Sequence, residues 1–178
     1  SKAERLDEEV DKIVRDLRRL VDELEKRIEK IVRDNRELVK RVRESNKRIV
    51  ETLRRLKENR GDKRVLDKIA RDIHEENKRA LERSEKSAED VERELKKVKD
   101  ELKEIVDRVK KTLDEARRAG VDKREVDKIE KKLRDVVREV EEIVTRVDKR
   151  LKDVLKESRE ILKEVNDETK KVLDEVKT

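Results

Sequence analysis

The side chains in this sequence that could do chemistry are few and thinly spread. There is one histidine, His74, and no cysteine, tyrosine or tryptophan among the 178 residues. A lone imidazole cannot hold a metal ion, and no His-x-x-x-His or Glu-x-x-His spacing supplies a second ligand from the same helical face. As a general base, His74 would need a nucleophile within hydrogen-bond reach and a site that excludes water, and the sequence marks neither. Carboxylates are abundant, but pairs such as Glu75-Glu76 and Glu141-Glu142 are sequence neighbours, and adjacent helical positions point in different directions. Two isolated glycines, Gly61 and Gly120, cannot form a phosphate-cradling loop. No catalytic, cofactor-binding or metal-ligating residue is therefore expected, and no enzyme activity. What remains is a polar set, Asn35, Asn46, Asn77, Ser84, Ser87, Ser158 and Asn166 with His74, whose members interrupt or edge otherwise aliphatic stripes.

Those stripes come from long helices. On the first, apolar residues recur as Leu6, Val10, Ile13, Leu17, Leu20, Leu24, Ile28 and Ile31, and again as Leu38, Val42, Ile49, Leu53 and Leu56, at a mean spacing near the heptad value of about 3.5. Val14, Val21, Val32, Val39 and Val50 flank this stripe and widen it to a bundle-like face. Val91, Leu95, Val98, Leu102, Ile105 and Val109 continue the pattern, as do Val126, Ile129, Leu133, Val136 and Val140. The two glycines divide the chain into near-equal thirds, and each opens a turn: Gly61-Asp62-Lys63-Arg64 and Gly120-Val121-Asp122-Lys123-Arg124-Glu125. Glycine can end a helix in the left-handed conformation, and the following Asp can cap the next helix. Asp122 and Glu125 also have capping-box spacing.

These signals predict an all-α fold, an antiparallel up-down-up three-helix bundle shaped as a coiled-coil-like rod. Residues 1–178 form a single unit, with helices over about 2–60, 62–119 and 122–177, each of about 57 residues and roughly 85 Å long.

Composition narrows the function classes further. No apolar run approaches the ~20 residues needed to span a bilayer, and no targeting signal opens the chain. The expectation is a soluble protein with no membrane partner, its compartment open, such as the cytoplasm of an expression host. Net charge is +6, and +5 of it lies in residues 1–60, where Arg33, Arg36, Lys40, Arg43, Lys47 and Arg54 form a helical stripe. With no aromatic residue to stack on bases, and with carboxylates flanking the stripe, it is expected to be a solvated face and not a specific nucleic-acid site. Arg60-Gly61-Asp62 spells the tripeptide that integrins read, but a helix stop and a helix start already account for the Gly and the Asp.

Folding the chain back at its glycines gives an approximate height map. Position x on the first helix lies beside about 121 − x on the second, and position y there beside about 241 − y on the third. Asn35 then falls level with Ser84, Ser87 and Ser158, and Asn46 with His74, Asn77 and Asn166. A buried amide without partners costs about 1–3 kcal/mol, whereas a mutually satisfied set is close to neutral. Two such layers would penalise every register that separates their members.

With these residues in view, the chain resembles computationally designed helical bundles with buried hydrogen-bond networks, and no natural family is suggested. The likeness rests on the Gly-(Val)-Asp-Lys-Arg turns, the Lys/Arg/Glu/Asp surface, the aliphatic stripe and the matched Asn/Ser layers. It implies a designed scaffold without natural biochemical activity, whose polar layers specify helix register. The alternative is a helix–helix interaction module, a heterodimer half, a homo-oligomer or a switch, that binds a partner helix through its apolar face. No partner is required in the first case; a second copy or a designed partner helix is implied in the second.

Overall fold

The computed structural model describes the backbone of residues 1–177 and the side chains of residues 1–175. Three α-helices account for nearly all of it: α1, Lys2–Glu58; α2, Lys63–Arg118; and α3, Lys123–Lys177. The fold is an all-α antiparallel three-helix bundle. Its contacts gather into two compact units, Ser1–Glu29 with Val91–Arg150, and Lys30–Asp90 with Leu151–Thr178. Each unit draws a stretch from every helix and holds one of the two turns.

The turns differ by one residue. After α2 the chain follows the expected pattern: Gly120 takes a left-handed φ of 79°, its N–H donates to Arg117 O, and the Val121 N–H donates to Ala116 O. That pair of bonds is the Schellman arrangement, which satisfies carbonyls the helix end would otherwise leave open. After α1 the same pair runs from Arg60 to Lys57 O and from Gly61 to Leu56 O. Here the left-handed residue is Arg60, at φ 54°, and not Gly61. The glycine is needed one place later for space, because a Cβ on Gly61 would lie 2.9 Å from the Leu56 carbonyl oxygen.

Both following helices are capped as the sequence suggests. Asp62 Oδ1 accepts the Arg64 N–H at 2.9 Å, and Asp122 Oδ1 accepts the Arg124 N–H at 3.2 Å. Glu125 lies in the first turn of α3, where the helix dipole favours its charge.

The first unit has an aliphatic core, including Leu6, Val10, Leu17, Leu24, Leu102, Val126 and Leu133, and every buried polar residue of the described chain lies in the second unit. The buried positions also revise the expected stripe. Val14, Val21, Val32 and Val39 are buried, while Ile13, Leu20, Ile31 and Leu38 are only half-buried. The core of α1 thus steps Leu6, Val10, Val14, Leu17, Val21, Leu24, then Ile28, Val32, Asn35, Val39, Val42, so the 4-4-3-4-3 pattern recurs every eighteen residues. Ala80, Ser84, Ala88, Val91, Leu95 and Val98 repeat it on α2, with Ala88 half-buried. Eighteen residues in five turns is the intrinsic period of an α-helix, about 3.6. A strict spacing of 3.5 would drift by ~20° per heptad on a helix of that period and rotate off its neighbours over such a length.

Candidate functional site

The second unit buries six polar side chains: Asn35, Asn46, Asn77, Ser84, Ser158 and Thr169. Each helix supplies two, and they assemble into two layers. In the first, Asn35 of α1 donates from Nδ2 to Ser158 Oγ of α3 and accepts at Oδ1 from Ser84 Oγ of α2 at 3.4 Å. Ser158 Oγ donates its own hydrogen bond to Val154 O at 2.9 Å, within α3. The layer is a short relay linking all three helices.

The second layer is denser. Asn46 and Asn77 face each other as a reciprocal amide pair, with Asn46 Nδ2 donating to Asn77 Oδ1 at 2.7 Å and Asn77 Nδ2 returning to Asn46 Oδ1 at 2.8 Å. The remaining Asn46 amide hydrogen goes to Val42 O at 2.7 Å, and Thr169 Oγ1 donates to Asn46 Oδ1 at 2.7 Å. An asparagine side chain has two donor hydrogens and two acceptor lone pairs. All four are used at Asn46, by groups from all three helices. Among the described residues, no buried side-chain nitrogen or oxygen lacks a partner.

Packed aliphatic clusters accompany the layers. One joins Val39, Val42, Ala80, Leu162 and Val165; the other joins Leu53, Leu66, Ala70, Ile73 and Leu173. Low-dielectric surroundings strengthen a satisfied hydrogen bond and make an unsatisfied group costly.

Three residues expected in the layers stand elsewhere. His74 is exposed, and Ser87 and Asn166 are only half-buried. His74 follows Ile73, which is 1% exposed, and a helical neighbour of a core residue points away from the core. Ser87 is displaced by the eighteen-residue step, which places Ala88 on the stripe. Asn166 loses its place to Thr169, three residues on, which the sequence reading missed. The offset that places it comes from the packing. α1 and α3 run parallel, so their partners keep a constant offset, and Asn35–Ser158 and Asn46–Thr169 are both 123 residues apart. Reflecting through two turns in succession gives an offset of 120 and lands on Asn166. A second clue is that Leu162, Val165 and Thr169 lie on one stripe.

The side chains with shifted acidity lie in the first unit. Lys132 Nζ donates to Asp11 Oδ1 at 2.8 Å, joining α3 to α1. That hydrogen bond holds the Asp11 carboxyl below its ordinary range and raises Lys132 above its own. Arg117 reaches across the second turn to Glu130, with Asp114 at 3.3 Å and Asp127 at 3.7 Å, and the Glu130 hydrogen bond foremost among them raises its already high pKa.

The geometry is that of a helical bundle organised around internal polar contacts. A solved structure described as a "Computationally designed three helix bundle" has the same fold, with a TM-score of 0.51 and 17% identity, covering 98% of this chain and 93% of that one. At that identity the likeness speaks for the fold alone. The sequence matches the family described as "BREX System ATPase PglY protein 6th domain" over residues 2–167, and the chain belongs to that family. The sequence reading had suggested no natural family, and this match supplies one. No curated protein resembles the chain closely enough to stand as a relative. No helix among the described residues is long and apolar enough to cross a membrane.

Proposed function

We propose that this chain is a structural module whose buried polar layers specify which helix faces which, and at what register. The observation that carries the reading is Asn46, whose two amide hydrogens and two carbonyl lone pairs are all taken, by Val42 of α1, Asn77 of α2 and Thr169 of α3. A side chain so completely matched is satisfied in one arrangement of the three helices, and a shift of any of them breaks it.

The family's description places such a domain in an ATPase. Within a larger protein of that kind, we read this chain as a part that holds and spaces, while nucleotide chemistry belongs elsewhere. Both glycines support this division. Gly120 is committed to a left-handed turn and Gly61 to the close approach of Leu56 O, so neither is free to cradle a phosphate. The reading requires no partner and no cofactor.

The test removes both layers at once: Asn35→Leu, Ser84→Ala, Ser158→Ala, Asn46→Leu, Asn77→Leu and Thr169→Val. Helix content is expected to persist while a single species gives way to several masses in light scattering. A variant that stays one species with one set of backbone resonances would show that the layers specify nothing.

A further inference from the structure

The seam between α1 and α3 in the second unit is open. A groove of about 580 Å³ runs along it, floored by Val50, Val165 and Val172 beside Asn46 and Thr169. The floor is thin for an identifiable reason. Leu53 and Leu173, the large side chains of this stretch, join Leu66, Ala70 and Ile73 of α2, which leaves the α1–α3 seam to valines. Val50 and Val172 are half-buried, so apolar surface faces the groove without being covered.

The two rims carry opposite charge. On the α1 side stand Arg43, Lys47 and Arg54, against one carboxylate, Glu51. On the α3 side stand Glu164, Glu168 and Glu175, against one cation, Lys171. Each rim therefore has a net charge of two units, positive on α1 and negative on α3.

We propose that this groove docks a single amphipathic helix of about three turns, with an aliphatic stripe downward, an acidic flank toward α1 and a basic flank toward α3. The length follows from the rim, since Arg43 to Arg54 spans roughly 16 Å of helix. A convex helix fills a concave seam, as in other helix-in-groove recognition. A second copy paired symmetrically through this seam would meet it groove to groove and leave the space empty. The rims also set direction, because turning the occupant end for end exchanges its flanks and pairs like with like. The proposal goes beyond the register role of the polar layers and does not depend on it.

Three fluorescent helical peptides with one aliphatic stripe test this against the full chain by anisotropy. One has a glutamate flank and a lysine flank, one has lysine on both, and one has glutamate on both. The bipolar peptide is expected to bind about tenfold more tightly than either uniform one, with the gap narrowing as salt rises. Val172→Lys, at a half-exposed position, should abolish binding, and Val50→Lys reads the same surface should the first variant fail to fold. Arg43→Glu with Lys47→Glu makes both rims anionic and should transfer the preference to the uniformly basic peptide. Equal affinity for all three peptides, no binding of any, or self-association of the chain that Val172→Lys abolishes would overturn the proposal.

Discussion

Replacing Asn46 with leucine separates a saturated polar layer from a merely polar one. The substitution removes both hydrogen bonds that join Asn77 to Asn46, at 2.7 and 2.8 Å, and leaves Thr169 without its acceptor at 2.7 Å. Thr169 is 3% exposed, but a helical threonine can turn its hydroxyl to the carbonyl four residues back, as Thr52, Thr112 and Thr145 do, so its loss is small. Asn77 is 5% exposed, and its amide and carbonyl are orphaned at about 1–3 kcal/mol each. Burying the new leucine returns roughly 1.5–3 kcal/mol. The net expectation is destabilisation by about 1–3 kcal/mol, or a melting temperature lower by roughly 2–10 °C for a chain of this size.

The decisive comparison is with Asn46→Leu, Asn77→Leu and Thr169→Val together. This variant adds a second leucine but leaves no orphaned polar group, and replacing all partners with apolar groups is close to neutral or stabilising. It should melt at or above the parent in circular dichroism. Were overcrowding the cause of the single variant's loss, the second leucine would deepen it. A triple variant that melts below Asn46→Leu would refute the account of this layer.

The first turn offers a paired test, since a non-glycine residue in the left-handed conformation costs about 1–2 kcal/mol. Arg60→Gly should therefore stabilise by about 1 kcal/mol in urea unfolding. Gly61→Ala should destabilise by about 1–3 kcal/mol, because its Cβ would meet the Leu56 carbonyl oxygen at 2.9 Å. At the surface, the lowered Asp11 pKa contributes stability that is full above the ordinary carboxylate value and lost as pH falls through the lowered one. The raised Lys132 pKa contributes stability that is full below the ordinary lysine value and lost as pH rises through the raised one. Asp11→Asn should remove the acid-side dependence and return the Lys132 titration, followed by NMR, toward that of a free lysine.

The helices and their ends were legible because their signals are local: an aliphatic stripe, a glycine stop and an Asp cap each act within a few residues. The Arg60–Gly61 turn was not, since both residues suit a helix end and only the packing of Leu56 decides which takes the left-handed place. The stripe was visible but displaced, because isoleucine or leucine beside valine gives two adjacent apolar positions, as at Ile13-Val14 and Ile31-Val32. Periodicity of 3.6 and not residue size selects between them. Asn35, Ser84 and Ser158, and Asn46 with Asn77, could be matched by counting from the turns. Thr169 could not, since a threonine on an exposed face and one in a core look alike until the offset between α1 and α3 is known.

The eighteen-residue stripe explains why a bundle of this kind would carry polar layers at all, and it sharpens the prediction for their joint removal. A 4-4-3-4-3 pattern displaced by seven or eleven residues still superposes four of its five positions on itself. Slid registers therefore cost the aliphatic core little. In the proposed register role the layers break that near-degeneracy, because their separations differ: eleven residues on α1, from Asn35 to Asn46, and on α3, from Ser158 to Thr169, but seven on α2, from Asn77 to Ser84. Sliding α2 by seven one way sets Asn77 beside Asn35 but Ala70 beside Asn46, which then loses two of its four bonds. Sliding it the other way sets Ser84 beside Asn46 and Val91 beside Asn35. With about 1–3 kcal/mol lost for each unmatched group, two or more such losses hold a slid state to roughly a thirtieth of the population or less. Removing one layer leaves the other to exclude these states, so the Asn46/Asn77/Thr169 variant should remain a single species. Removing both leaves only the short turns, which restrain a slide within one chain but not pairing between chains. The six-fold variant should accordingly melt at or above the parent while light scattering at two concentrations finds helix-exchanged dimers and larger species. Loss of uniformity already in the single-layer variant, or none in the six-fold one, would contradict this division of labour between the layers.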